Sequence, residues 1–301
     1  MKADLHCHTN VSDCSFSINE ILELALQEDV RYLAITNHDT TKGLKEMIIN
    51  GERFGIEIIP GIEISAYDFK RQTRVHILGY FIEQAHSAIQ EICNPLLEAR
   101  HQASYIMVQR LIQAGYVISW EQVMNLAAGG TGVYKQHIMH ALIENGYTDT
   151  IYGELYKELF SRGLNGTAPG IAFVPLEYVD ARLAIKAIEQ AGGVSVLAHP
   201  GQYHNFDAIP ELVEAGLKGI EVWHPLHGPN EEEKAKQYAV EYGLVMTGGS
   251  DFHGYYGEKE IRLGSKSPGV EAVEALKERR NKNFNNKGAD TYAAYSQSSK
   301  K

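Results

Sequence analysis

The sequence predicts an α/β fold: a distorted (β/α)7-like barrel carrying an inserted helical subdomain. Three observations lead there. Short apolar runs of strand length alternate with amphipathic helical stretches in both the first and the last third of the chain, the pattern of a largely parallel sheet. Between residues 85 and 175 that alternation gives way to helical periodicity alone. Finally, His8, His38, Glu63, His199, His224 and Asp251 all fall at the C-terminal ends of predicted strands, the rim where barrel enzymes keep their chemistry. Periodicity does not choose between an open and a closed sheet, and it is this third observation that favours the barrel.

Taken in order, ADLHCHT reads as a strand and is followed by Ser17 and Glu20, a capping-box pair that starts the helix SINEILELALQED. YLAIT is the next strand, leading through Asn37-His38-Asp39 to the helix TKGLKEMIINGERFG, which stops at a glycine. EIIPGIEIS and RVHILGY are two strands around a polar turn at 68–73, either a hairpin or barrel neighbours. NPLLEARHQASYIMVQRLIQAG, SWEQVMNLAA, YKQHIMHALIENG and IYGELYKELF then carry helical periodicity. Alternation resumes with the helix VDARLAIKAIEQAGG, the strand VSVLAH, a helix near 208–215, the strand GIEVWH, the helix NEEEKAKQYAVEYG and the strand LVMTGGSD. This assigns residues 1–84 and 176–280 to a discontinuous barrel, 85–175 to a helical cap and 281–301 to a polar C-terminal tail.

A chain of 301 residues, 44% hydrophobic and 22% charged, buries a full enzyme core. Its net charge of −10 argues against a broad basic face for long nucleic acid, while small anionic substrates stay open because bound cations reverse the local field. Cys7, Cys14 and Cys93 are odd in number and lack metal or redox spacing, so reduced thiols are expected. With no leader-like segment before DLHCH and no run of about 18 apolar residues, a cytoplasmic location and no membrane contact are expected. Oligomeric state is not readable from these features.

His6 and His8 are two apart on a strand and share one face with Asp4, while Leu5 and Cys7 face the other way. Two imidazoles with a carboxylate behind them supply ligands and an outer partner to a divalent ion. Asp13, His38-Asp39, Glu63, His76, His199, Asp251 and His253 follow, each beside a strand end or turn. Any one alone is most simply structural, but their joint placement on one rim points to a shared ion site. Imidazoles mixed with carboxylates suit Zn, Mn or Fe. GGSDFHG lacks both common nucleotide-loop patterns, and EEEKAK is a solvated helix face. Tyr134, Tyr203 and Tyr255 are candidates for stacking on a base, His137 and His140 for pocket or surface roles, and His224 and His227 for lining the pocket.

The ordered set DLHCHT, TNHDT, PGIEIS, VHILGY, LAHPG and SDFH resembles the motifs of the PHP (polymerase and histidinol phosphatase) family over nearly all of the chain before its tail. The resemblance implies a metal-dependent phosphoric ester hydrolase with two or three divalent ions. It places His6, His8, Glu63 and Asp251 on one ion, Glu63, His76 and His199 on a second, and Asp13, His38 and His253 on a third. The inserted helices resemble the branch with nucleoside 3',5'-bisphosphate phosphatases and cyclic-phosphate phosphodiesterases, in which the insert lends a basic side chain to the phosphate. GVYKQHIMHAL resembles that segment, with Lys135 where an Arg is usual and His137 beside it as a further substrate contact. Asn37 and Cys14 also depart from the usual acidic residue and glycine. Water held between two cations is then the expected nucleophile, with Asp39, His224 or a metal-bound water protonating the leaving group, and Asp39 equally placed to brace His38 instead. The expected substrate is a small phosphorylated metabolite, a nucleotide or sugar phosphate monoester. Cyclic phosphodiesters or the 5' ends of short oligonucleotides are the alternative, and a metal-binding module without activity is the reading from a different class.

Overall fold

The computed structural model describes residues 1–163 and 166–282. The chain opens with β1 (Lys2–Asp4), α1 (Ile18–Gln27), β2 (Val30–Ile35), α2 (Leu44–Phe54), β3 (Glu57–Asp68) and β4 (Thr73–Tyr80). Four helices follow: α3 (Ser87–Gln113), α4 (Trp120–Leu126), α5 (Lys135–Glu144) and α6 (Glu154–Phe160). The last third contains β5 (Val179–Asp180), α7 (Ala181–Gln190), β6 (Val194–Leu197), α8 (Ile209–Glu214), β7 (Gly219–Trp223), α9 (Pro229–Tyr242) and β8 (Val245–Gly248). Residues 270–282 are helical, so a helix runs through position 281, where the polar tail was expected to begin. The rest of that tail, 283–301, lies outside the described residues.

Local signals act as the sequence suggests. Ser17 caps α1: its hydroxyl accepts from the Glu20 N–H at 3.4 Å and the Glu20 carboxylate accepts from the Ser17 N–H at 2.7 Å. The same helix buries Ile18, Ile21, Leu22 and Ala25, the stripe that its 3.6-residue period predicts. Gly55 ends α2 in the left-handed region, where a side chain would be strained.

Seven strands form a continuous path in the order β1-β2-β3-β4-β6-β7-β8, with β5 added beside β3. The path closes. Beyond β1 the backbone continues against the segment after β8, with Leu5 N–H donating to Gly248 O (3.1 Å), Asp251 N–H to His6 O (2.8 Å) and His8 N–H to Phe252 O (3.1 Å). The distortion is β4, which pairs antiparallel with both neighbours, β3 and β6. The two strands left open above are therefore a hairpin and barrel neighbours at once. Because β4 runs backwards, its early residue His76 lies at the rim, opposite Ser65.

Ala3, Leu5, Ala34, Ile59, Leu78, Tyr80, Val196 and Ala198 belong to one buried cluster, joined by Ala272, Val273 and Leu276 from the helical run at 270–282. The upper half of α3 and α4 to α6 bury an apolar cluster of their own, built on Met107, Leu111, Val123, Ile138, Leu142 and Phe160. Tyr256, from the loop after β8, is embedded in that second cluster and its hydroxyl lies 2.8 Å from His140 Nδ1. No helix among the described residues is long and apolar enough to cross a membrane. Cys7, Cys14 and Cys93 are all buried free thiols.

Candidate active site

The rim loops converge on Glu63. Its Oε2 lies 3.2 Å from His6 Nε2, 3.1 Å from His8 Nε2 and 3.3 Å from His38 Nδ1. Its Oε1 lies 2.8 Å from His76 Nδ1 and 2.9 Å from His199 Nε2. Asp251 Oδ1 closes the first group at 3.2 Å from both His6 Nε2 and His8 Nε2. A third group surrounds Asp13, with His253 Nε2 at 3.5 Å, His8 Nδ1 at 3.6 Å and His38 Nε2 at 3.7 Å. The nine residues expected at the ion site thus meet in one cluster, from six separate chain segments.

The arrangement fits divalent cations on its own geometry. His6 Nε2, His8 Nε2, His38 Nδ1, Asp13 Oδ1 and Asp251 Oδ1 are buried yet have no hydrogen-bond partner, which is costly unless something else satisfies them. Ligand atoms about 2.0–2.1 Å from a shared tetrahedral ion sit about 3.3 Å from one another, close to the spacings in the Glu63–Asp251 group. Burial works against ionisation of Glu63 and Asp251, but the surrounding imidazoles, His38 and His6 foremost, hold both carboxyls well below their usual range. Both therefore present full negative charge to a cation.

The backbone is shaped for this. Asp39, His199 and Asp251 all adopt positive φ, a conformation that costs about 1–3 kcal/mol per residue and persists only where the surroundings impose it. Each strained N–H is held: Asp39 by Glu63 O at 2.9 Å, Asp251 by His6 O at 2.8 Å, and His199 by Glu221 Oε2 at 2.8 Å. A Cβ on Gly249 would collide with the His6 backbone nitrogen, so the GGSD sequence lets two rim loops touch.

Other expected residues take different places. Asp4, expected to stand behind the histidine rings, instead accepts backbone N–H groups of His6, Ser250 and Gly264 and ties loops together. The ring partner is Glu221, which sequence reasoning missed: its Oε1 lies 3.1 Å from His6 Nδ1, and it is fully buried inside β7. A charged residue in the apolar strand GIEVW was the signal. Asp39 does not line the cavity. Its Oδ1 accepts from Ser65 N–H at 2.7 Å and its Oδ2 from Arg100 at 2.7 Å, so both oxygens are engaged away from the cavity. Asn37 accepts from the Thr9 backbone and braces the first loop. His137 also misses the cavity, because its Nδ1 caps α5 by accepting the Tyr134 N–H at 3.0 Å. His227 is used up between Val222 O and Gly201 N–H, and Tyr255 is half exposed away from the site.

What remains is a cavity of about 230 Å³ above the cluster. Its floor is Asp13, His38, Glu63, His76, His199, Asp251 and His253, with His224 at its side. The Nδ1 of His224 accepts the Leu226 N–H at 3.2 Å, which leaves its Nε2 as the proton-bearing atom, 3.3 Å from Asp251. The rest of the lining contains four cations, Arg74, Arg100, Lys135 and the exposed Lys259, together with the exposed Glu258 and the rings of Tyr134, Tyr152, Tyr156, Tyr178 and Tyr203. Burial, with Arg74 and Arg162 nearby, pushes the Lys135 ammonium down to about 8.

A family profile described as PHP domain matches residues 4–169, and a phosphoribosyl 1,2-cyclic phosphate 1,2-diphosphodiesterase of Eggerthella lenta is 44% identical over 85% of this chain and 96% of its own. The chain belongs to the PHP family. Other relatives include a 5'-3' exoribonuclease of Salmonella typhimurium, 31% identical over 83% of this chain and 84% of its own. A 3',5'-nucleoside bisphosphate phosphatase of Chromobacterium violaceum is 29% identical over 83% and 86%. Among solved structures, a candidate metal-dependent phosphoesterase from Bifidobacterium adolescentis superposes with a TM-score of 0.81 at 27% identity, covering 91% of this chain and 94% of that one. This PHP chain is accordingly a metal-dependent phosphoesterase whose histidines and carboxylates form a cluster able to bind metal.

Proposed function

We propose that this chain hydrolyses a phosphate ester on a ribose-sized metabolite that carries a second phosphoryl group, with a phosphoribosyl cyclic phosphate as the first substrate to test. One observation carries the reading: the small cavity is lined by the ion-binding floor and also by two partly buried cations, Arg74 and Lys135, that no carboxylate of the described residues neutralises. Among the described residues Arg74 and Lys135 form no ion pair, and the Arg74 Nε is buried without a hydrogen-bond partner. Two anionic groups on one small molecule satisfy both walls. The names of two relatives support the same chemistry, since a phosphoribosyl cyclic phosphate and a nucleoside bisphosphate each bear two phosphates. This keeps the small phosphorylated metabolite expected from the sequence and moves the cyclic ester from alternative to first choice.

In this reading His6, His8, Glu63 and Asp251 hold one divalent ion, Glu63, His76 and His199 a second, and Asp13, His38 and His253 a third, with Mn, Zn and Fe all suited to the ligands. Such ions, when bound, acidify water and neutralise phosphoryl oxygens. The chain's own contributions are positional. Arg74 and Lys135 hold the second phosphate, the five tyrosines wall off bulk water, and His224 offers its Nε2 proton to the departing oxygen. Three buried free thiols agree with a reducing compartment such as the cytoplasm.

The test is a panel assay of Mn-loaded protein on a phosphoribosyl cyclic phosphate, a nucleoside 3',5'-bisphosphate, ribose 5-phosphate and a short 5'-phosphorylated oligonucleotide, with His38→Ala and Asp251→Ala as controls. Turnover of the first or second, absent from ribose 5-phosphate and from both variants, is expected. Preference for the oligonucleotide transfers the assignment to an exonuclease, and silence throughout refutes catalysis on these esters.

A further inference from the structure

Between Lys135 and His137, the two residues that the sequence singles out in α5, lies Gln136, and it reaches the floor of the cavity. Its Nε2 is 3.1 Å from Asp13 Oδ2 and 3.0 Å from the Tyr152 hydroxyl. An ionised carboxylate only accepts, so the amide must turn its NH2 toward Asp13, and both of its hydrogens are then used. Asp13 is buried, and its other oxygen, Oδ1, has no hydrogen-bond partner and faces His253 Nε2 at 3.5 Å. One carboxylate oxygen is thus tied to a side chain from the helical insertion, and the other is left for the ion.

We infer that Gln136 is a positioning residue for the third cation: it fixes Asp13 as a one-oxygen ligand, so occupancy of that position depends on how α5 is docked. This rests on the three-ion assignment proposed above. The insertion is tied to the same loop elsewhere, where Thr131 donates to Val11 O from its backbone N–H at 2.9 Å and from its hydroxyl at 3.1 Å. The first two ions have no such tie among the contacts of Gln136, since His6, Glu63, His76, His199 and Asp251 are all supplied by barrel strands and rim loops. Gln136 itself therefore touches only the third set of ligands, through Asp13.

The experiment measures metal content and affinity instead of turnover. Wild type, Gln136→Met and Gln136→Asn are dialysed against a series of Mn²⁺ concentrations, and bound Mn²⁺ is counted by mass spectrometry. Methionine keeps the volume without the donor, and asparagine keeps the donor but withdraws it by one methylene, so a folding failure in one variant leaves the other. Expected is a wild type with three equivalents and variants with two unchanged equivalents and a third weakened about 10- to 100-fold, the usual cost of losing a group that orients a ligand. His199→Ala, in parallel, should weaken a different equivalent. A third equivalent with wild-type affinity in both variants overturns the role of Gln136 while leaving the three-ion reading intact. A wild type that never binds a third equivalent overturns both.

Discussion

Lys135 offers a test in which activity and stability respond to pH with opposite signs. Its ammonium is largely withdrawn from water, with Nζ 5.1 Å from the centre of the Phe160 ring, and burial beside Arg74 and Arg162 lowers it from 10.5 to about 8. If the charged form grips a phosphate, each pH unit above about 8 removes about nine-tenths of the competent enzyme, so kcat/KM falls about tenfold per unit. The stability sign is the reverse. Between about 8 and 10.5 the unfolded chain binds more protons at this site than the folded chain does, so folding becomes more favourable as pH rises through that window. Below about 8 the lysine is charged in both states and the full penalty for burying its charge is present. Lys135→Arg keeps the charge across the whole range and should abolish the alkaline fall. Lys135→Met should raise KM about 10- to 100-fold at pH 7, the worth of a hydrogen bond to a charged group, while bound metal stays constant. Steady-state kinetics from pH 7 to 9.5 with the best substrate of the panel, alongside urea unfolding at the same values, decide the matter. A flat kcat/KM in the wild type, or an undiminished fall in Lys135→Arg, refutes the argument.

Two further outcomes follow from buried charges. Arg100 and Asp39 form a pair at 2.7 Å with side chains 13% and 0% exposed, so Arg100→Met should cost about 3–5 kcal/mol by stranding a buried carboxylate. Asp39→Asn should cost less, because Arg100 keeps the Ser65 hydroxyl at 3.0 Å and the face of the Tyr134 ring. Urea unfolding at fixed Mn²⁺ measures both, and equal costs would contradict the asymmetry. Glu221→Gln should weaken metal binding about 10- to 100-fold by loosening His6 and the strained His199 N–H, read by competition with a chelating dye.

The ion floor was legible in the sequence because its residues interrupt apolar strands with side chains that make poor strand ends for any other reason. His6, His8, His38, His199 and Asp251 each lie just beyond the C-terminal end of a strand, and strand order alone brings such positions together on one rim. Glu63 and His76 were legible as polar residues inside a hairpin, although the reversal of β4 that places His76 correctly was left as one of two possibilities. Glu221 could have been found by the same logic and was missed because a glutamate within a strand also reads as a solvent-facing residue. The opposite wall was legible only in part, through Lys135, Tyr134 and Tyr203. Arg74, Arg100 and Gln136 are ordinary polar residues of a strand and two helices, and which of them faces the cavity depends on how the insertion leans over the barrel. Periodicity gives a helix its apolar stripe but says nothing of the direction in which its polar face is turned. Asp39 takes its partner Arg100 from a distant helix, a contact set by packing, whereas His137 turns to the Tyr134 N–H only three residues before it, a local capping contact.

The reversed strand sets the height of the ceiling. Because β4 returns toward the base of the barrel, the chain must climb back to reach the rim, and α3 is the ladder. Its 27 residues span about 40 Å at about 1.5 Å each. Ile89 and Cys93 root its lower turns on the barrel, while Met107 and Leu111 carry the upper turns into the helical cluster. One continuous helix, with Pro95 inside it, therefore spaces roof from floor. One extra turn, about 5.4 Å, would raise the roof without altering any residue of the floor, giving chains built on this plan a simple route from ribose-sized phosphates to longer ones.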